Sequence, residues 1–390
     1  MQHGPIDDRP SDQRPAVVIY RAPLFNASET FVRAHPLDLW RYRPLLAGLE
    51  DKGNIPDELR HSVCLPTTWS ERVRARFGKL DWLADCVSAE KPRLVHAHFG
   101  TDGLTAVDLA RRLAIPLVTT LHGYDVSRST AALLVSGRLS WMRYALGREK
   151  LFRRGDLFLA VSDAVRANAL KSGYPAKRTL THYIGVDLDA FRYSGHHDST
   201  TILHVGRLVE KKGTALLLRA FGQVVAQHPA TRLVIIGDGP LRRSLERLAA
   251  RLGLDRAVAF LGLQPQPAVA EWMRKAAVLA VPSLTARDGD AEGLPTVIPE
   301  AAASGLPVVG SAHSGIPEAI EDGRSGYVVR AGEVESLSAR LAELIASPDL
   351  RRSLGLGARH LAEARFDRRV QVERLERIYD GLAASGPICR

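Results

Sequence analysis

The chain has 390 residues, of which 45% are hydrophobic and 25% charged, and a formal net charge of +10. That length exceeds one ordinary hydrophobic core and predicts a globular protein of two domains with anionic partners. No apolar run approaches the roughly 18 residues that a membrane span requires, and the N-terminus lacks a signal-peptide pattern.

Residues 1–15 are polar and Pro-containing, which predicts a disordered leader. Residues 16–20, Ala-Val-Val-Ile-Tyr, form an apolar run expected to be a first buried strand. The loop 21–26 follows at its carboxyl end, and Ser28 and Glu29 suit an N-cap and a first helical turn. In open α/β sheets ligands lie beyond the carboxyl ends of strands, so this loop is a candidate site wall. Residues 93–98 alternate apolar and polar before a Gly-rich turn at 100–103, and a helix is expected over 105–113. A further strand, 116–121, ends in His122-Gly123, and another, 157–161, runs into Ser162-Asp163, a helix cap. Strands alternating with helices predict a doubly wound α/β domain over 16–192. Cys64, Cys86 and Cys389 show no CxxC spacing, which argues against a disulfide framework or structural zinc and fits a reducing cytosol.

One stretch is markedly basic: Arg138, Arg143, Arg148, Lys150, Arg153 and Arg154 interleave with Trp141, Met142, Tyr144 and Phe152. As a helix it suits an anionic membrane surface with its aromatics at headgroup level, and the basic segment 71–79 adds to that. The competing reading is a solvated helix whose apolar face packs on its own domain. For nucleic acid there is no zinc-finger spacing, aromatic strand motif or basic low-complexity arm, so none is expected as a partner.

Residues 193–200 are polar and serve as a linker, and a second α/β unit is expected over 201–365. Its first strand runs into Gly206-Arg207-Leu208-Val209-Glu210-Lys211-Lys212-Gly213 and then a helix. Backbone N–H groups, a helix N-terminus and cations in one loop are how a fold cradles a diphosphate. Residues 236–240, Ile-Gly-Asp-Gly-Pro, repeat the strand-to-helix theme, with Gly239 taken as structural. Farther on, Glu292-Gly293-Leu294-Pro295-Thr296 precedes a short helix that carries Glu300. Two acids beside an anion site would repel a bare phosphate, but they suit a phosphate ligand whose hydroxyls donate to carboxylates. A terminal helix is expected over 366–382.

The set GRLVEKKG, IGDGPL and EGLPTVIPEAAASGLPVV, in this order, resembles the family 4 retaining glycosyltransferases of GT-B fold. The N-terminal SETFV, HAHFG and LHGYD further resemble the subgroup that builds bacterial exopolysaccharides of the colanic-acid and amylovoran type. The resemblance implies two Rossmann-like domains facing a cleft, with residues 366–390 returning to the first domain. It implies that Arg207 and Lys212, in the loop opened by Gly206, bind the diphosphate of a nucleotide sugar. Glu300 would accept from the ribose, Glu292 and the backbone of Gly293, Leu294, Pro295 and Thr296 would hold the transferred sugar, and His122 would approach it from the opposite domain. Glu292, His122, Arg207 and Lys212 are thus the expected catalytic set, with no metal and no cofactor beyond the donor.

The acceptor is expected to be a saccharide or lipid-linked hydroxyl, met in the cytoplasm or at the inner face of a membrane. The sequence sets no oligomeric state. It departs from the wider family in one place: Leu24-Phe25-Asn26-Ala27-Ser28 stands where many members have a Gly-Gly loop. Rival readings are a sugar-nucleotide epimerase or phosphorylase on the same fold, and a non-catalytic nucleotide-sugar-binding subunit. Acceptor-dependent nucleotide release separates the first from transfer, and donor binding without turnover would mark the second.

Overall fold

A computed structural model describes residues 12–26, 29–193 and 200–387. Most of the expected leader, Ser28, most of the linker and Cys389 lie outside them. Among the described residues the first sheet comprises β1 (Ala16–Tyr20), β2 (Arg43–Ala47), β3 (Val63–Cys64), β4 (Leu94–His98), β5 (Leu117–Leu121), β6 (Leu157–Ala160) and β7 (Thr179–Thr181). All are parallel, in the order β3-β2-β1-β4-β5-β6-β7. The second sheet holds β8 (Thr201–Val205), β9 (Arg232–Ile236), β10 (Val258–Gly262), β11 (Val278–Val281), β12 (Val308–Ser311) and β13 (Gly326–Val329). It too is parallel, ordered β10-β9-β8-β11-β12-β13.

Helices cover both faces of each sheet, so central strands bury residues on both sides and lose the polar alternation of a half-exposed strand. Every residue of β1 is buried, as is every residue of β11. The strand order reverses between β1 and β4 and again between β8 and β11, and such switch points open the crevices in which doubly wound sheets take ligands. The helices that matter below are α1 (Thr30–Asp38), α2 (Trp69–Arg76), α3 (Asp81–Ser88), α4 (Gly100–Leu113), α5 (Leu139–Arg154), α6 (Asp163–Lys171), α7 (Thr214–Gln227), α8 (Val297–Ala303) and α9 (Arg368–Ser385).

Three expectations need correction. The helix expected over 105–113 begins at Gly100. Gly100 and Gly103 are not a turn: a Cβ on Gly103 would lie 2.6 Å from the Thr119 side chain, so small residues let the first turn of α4 press on the sheet. Cys64, at the end of β3, and Cys86, in α3, are joined by a disulfide across 22 residues of sequence, where unpaired cysteines were expected. The terminal helix starts at Arg368, after a π-helical turn over Ala362–Phe366, and runs to Ser385.

The chain crosses between the two sheets a second time just before α9. Val186 N–H donates to Phe366 O at 2.7 Å and Arg368 N–H to Val186 O at 3.0 Å, joining the two crossings side by side. Helix α9 then lies on the first domain, where the buried Glu376 carboxylate accepts from the N–H groups of Trp40 (2.8 Å) and Arg41 (2.7 Å). The carboxyl ends of the two sheets face each other closely. The carboxylate of Glu318, from the second domain, accepts from the N–H groups of Asp163 (2.7 Å) and Ala164 (2.8 Å) at the start of α6. A negative charge is favoured there by the helix dipole and by the free N–H groups.

Candidate active site

In the second domain the loop after β8 is pinned by Leu208 N–H donating to Asp238 O at 2.9 Å, and it closes in a 3-10 turn over Glu210–Lys212. The Lys212 side chain lies along Gly206, where a Cβ would meet its Cε at 3.2 Å. Lys212 Nζ stands 3.0 Å from Glu292 Oε1, in ionic contact but without the alignment of a hydrogen bond. Beside it Lys211 Nζ is 3.1 Å from Asp290 Oδ1. Arg207, in the same loop, is exposed and has no ion pair among the described residues.

Glu292 is only 7% exposed. Burial pushes its carboxyl pKa upward, but Lys212 and Lys211 outweigh that and hold it below the usual glutamate value. The segment around it is clamped from the loop after β12: the Ser314 hydroxyl donates to Glu292 O, and Gly315 N–H donates to Gly293 O at 3.0 Å. His313, in the same loop, is pushed down by burial, with Glu292 acting in the opposite direction. Leu294 and Pro295 are buried and Thr296 half-buried, just ahead of α8.

Glu300 sits in the first turn of α8. It lines a pocket of about 160 Å³ shared with Leu294, Thr296 and Gln266 on one side and with Phe31 and Arg33 of α1 on the other. Burial raises its carboxyl to about 7, against a smaller opposing pull from Lys212. The two acids therefore differ in kind: Glu292 is a carboxylate paired with a lysine, and Glu300 is a carboxyl poised to ionise near neutrality.

His122 comes from the first domain, directly after β5. Its own N–H, at 3.2 Å, and that of Gly123, at 2.9 Å, point to Asp125 Oδ1, and Gly100 N–H donates to Asp125 Oδ2 at 3.0 Å. One buried carboxylate thus fixes this loop against the start of α4. The imidazole packs between Phe31 and Phe99, at centroid distances of 4.8 and 4.4 Å. Its Nε2 lies 3.1 Å from His98 Nδ1, while its own Nδ1 is buried without a partner. Burial, followed by Arg21, lowers its pKa to about 3, so the ring is neutral. Contact across the cleft is tight: a Cβ on Gly293 would lie 2.1 Å from His122 O.

The residues expected at the donor site follow the carboxyl ends of β5, β8 and β11 or open α8. Lys212 meets Glu292 and Gly293 meets His122, while the Arg207 side chain makes no ion pair or hydrogen bond to them among the described residues. Cations on one loop, two unlike acids and a neutral imidazole suit a ligand with both phosphate charge and donating hydroxyls. Sequence reasoning missed Lys211, His313 and Ser314. The Lys-Lys doublet marked the first, whereas the loop over 310–317 carried no signal beyond its Gly and Pro.

In the basic helix α5 the aromatics follow the reading in which the helix packs on its own domain. Trp141 stacks on Tyr124 and lies under Arg128 and Arg138, Tyr144 is buried with its hydroxyl 2.6 Å from that of Tyr174, and Phe152 packs on Tyr174. Its aromatics therefore face inward. What it exposes instead is Leu139, Met142 and Leu146, which share a face at helical spacing with Arg143. Arg143 donates to Arg76 O at 3.2 Å, so that face continues into exposed Phe77 at the end of α2.

Residues 31–190 match the family model described as Glycosyltransferase Family 4, and residues 189–361 match that described as Glycosyl transferases group 1. The colanic acid biosynthesis glycosyltransferase named WcaL of Salmonella typhimurium is 34% identical over 314 residues, covering 75% of each chain. The amylovoran biosynthesis glycosyltransferase AmsK of Erwinia amylovora is 33% identical, over 80% of this chain and 76% of its own. Among solved structures, Anabaena Alr3699/HepE in complex with UDP superposes with a TM-score of 0.76 at 21% identity, covering 94% of this chain and 100% of that one.

Proposed function

The chain belongs to family 4 of the glycosyltransferases, in the exopolysaccharide-building group, and on that premise we propose that it transfers a sugar from a nucleotide diphosphate donor to a saccharide hydroxyl, retaining the anomeric configuration and using no metal ion. The observation that carries this reading is the Lys212–Glu292 contact beside the neutral His122 of the other domain, whose O packs on Gly293, with Glu300 lining the adjoining pocket. In the reaction the bond between the anomeric carbon and the diphosphate oxygen breaks, and a bond to the acceptor oxygen forms on the same face. The acceptor's proton passes to the departing phosphate. Negative charge builds on the diphosphate, and preorganised cations near it supply the main electrostatic stabilisation. We assign that role to Arg207, Lys211 and Lys212, the cations of the loop after β8.

Glu292, held ionised by its lysines, positions the sugar and stabilises positive charge at the anomeric centre. Glu300 accepts from the ribose hydroxyls. Closure of Gly293 onto His122 O excludes water that would otherwise hydrolyse the donor. The test is release of nucleotide diphosphate that depends on an added acceptor, preceded by a thermal-shift screen of nucleotide sugars, since donor binding raises apparent stability by mass action. Product NMR reads the anomeric configuration. Inversion, or full activity restored only by a divalent ion after chelation, would sink the corresponding half of the reading.

For the acceptor, the exposed face formed by Leu139, Met142, Arg143, Leu146 and Phe77 favours a lipid-linked saccharide presented at an anionic membrane. No helix among the described residues is long and apolar enough to cross one. Sedimentation with anionic vesicles should weaken as salt rises. Binding that is absent, or indifferent to salt, would count against this docking.

A further inference from the structure

Beneath His122 lies a series of buried polar rings from four segments distant in sequence. Thr120 Oγ1 is 2.7 Å from His96 Nε2, His96 Nδ1 bonds the Tyr379 hydroxyl, and that hydroxyl is 2.9 Å from His35 Nε2. His35 Nδ1 is then 2.9 Å from His98 Nε2, and His98 Nδ1 is 3.1 Å from His122 Nε2. Every ring nitrogen in this series has a partner except the last, His122 Nδ1. Tyr379 belongs to the returning helix α9, so the series is completed only when that helix is seated on the first domain.

We propose that this hydrogen-bonded series fixes His122 as the tautomer protonated on Nδ1, offering an N–H to the ligand in the cleft, and that Tyr379 and His35 are positioning residues for it. A neutral imidazole has one donor and one acceptor, and a phenol has one proton, so donation must run the same way through every link. Burial keeps the series neutral: it lowers His35 to about 3 and takes His96 and His98 well below the usual histidine value. Two directions remain. If donation ran from His122 toward Thr120, the Thr120 proton would need an acceptor of its own, and Thr120 Oγ1 has no second partner among the described residues. A buried donor left unmade is costly. If it runs from Thr120 toward His122, the one donor left without a protein partner is the Nδ1–H of His122, beside Phe31 of the pocket wall, whereas the opposite direction leaves both the Thr120 proton and the His122 Nδ1 lone pair unpaired. The contribution to transfer rests on the function proposed above, whereas the tautomer itself does not.

The experiment is a long-range 1H–15N correlation on ligand-free, full-length protein labelled with 15N-histidine, with His122 assigned by its loss in His122→Asn. The expected result is a single neutral form protonated on Nδ1. Thr120→Val should leave that form unchanged, since it removes only a donor to an acceptor, while Tyr379→Phe should yield the Nε2–H form or a mixture. In Tyr379→Phe, kcat/KM for donor should fall about tenfold, in line with one lost hydrogen bond, with the affinity for nucleotide diphosphate alone unchanged. Wild-type protein protonated on His122 Nε2, or on both nitrogens, would overturn the inference. So would stoichiometric zinc uptake that shifts His35, His96 and His98, whose ligand atoms lie within 4.8 Å of one another. Because the tautomer is read without substrate, a protein with the expected spectrum and no transfer activity would refute the proposed function alone.

Discussion

Lys212 Nζ rests 3.0 Å from Glu292 Oε1, so the lysine proposed for the diphosphate is held by the acid proposed for the sugar. On the proposed function a donor draws Lys212 partly away while its sugar hydroxyls take over Glu292. Nucleotide diphosphate without its sugar faces only the first half of that exchange. Glu292→Gln should therefore bind free nucleotide diphosphate more tightly than wild type while kcat/KM for transfer falls about 10²-fold. Lys212→Ala should lose both. Calorimetric titration alongside steady-state assays separates the two, and equal weakening of diphosphate binding in both variants would break the argument.

Glu300 gives a pH dependence with a definite sign. Its carboxyl is raised to about 7 by burial, so on the proposed function, in which Glu300 accepts from the ribose, the protonated form below that pH cannot accept from both hydroxyls. Donor affinity should rise as pH climbs through about 7 and level off above it, weakening about tenfold per pH unit on the acid side. Glu300→Gln should bind more weakly at high pH and show a flat profile. Dissociation constants measured on either side of neutrality check this, and affinity that increases on acidification would contradict it.

A methyl on Gly293 would lie 2.1 Å from His122 O, a distance that backbone atoms cannot share. Gly293→Ala should fold with near-normal stability, because the clash is between domains and opening relieves it. Transfer should fall by about 10²-fold, the scale of an ångström-sized misplacement of reacting groups. Small-angle scattering should show a larger radius than wild type. An unchanged radius with full activity would mean that the close contact is not needed for turnover.

Much of this was legible in the chain because the informative residues sit at fixed places in a repeating unit. Buried strands were marked by apolar runs such as residues 16–20 and 278–281, and the loops after them carried Gly206, Arg207, His122 and Glu292. Local patterns could not show what those side chains touch. That Lys212 is occupied by Glu292, across 80 positions, or that Cys64 meets Cys86, depends on how separate loops and helices are brought together. The same holds for the buried rings: His35, His96, His98 and Tyr379 each look like ordinary core or strand residues until α9 closes over them. Helix α5 shows the opposite failure, since interleaved charge and aromatics do not say which face turns inward.

The returning helix ties stability to Glu376. Its side chain is buried, yet its carboxylate accepts from two backbone N–H groups, those of Trp40 and Arg41, and contacts the Arg41 guanidinium at 3.3 Å. Alanine there leaves both N–H groups facing a cavity, and unmade buried donors cost more than the net worth of the bonds they formed. Glu376→Ala should lose about 2–4 kcal/mol of stability on that basis. Glu376→Gln, which keeps an acceptor oxygen, should lose appreciably less. Asp380 serves as the control on the same helix. It is half-exposed, with Arg41 Nη1 at 2.6 Å and the Tyr42 hydroxyl donating to it at 2.9 Å. An exposed ion pair is worth about 1 kcal/mol or less and one such hydrogen bond about 1 kcal/mol, so Asp380→Ala should cost less than Glu376→Ala. Urea unfolding of the three variants gives the ranking. If Asp380→Ala proved as damaging as Glu376→Ala, α9 would be held by the Asp380 contacts to Arg41 and Tyr42 and not by the buried acceptor.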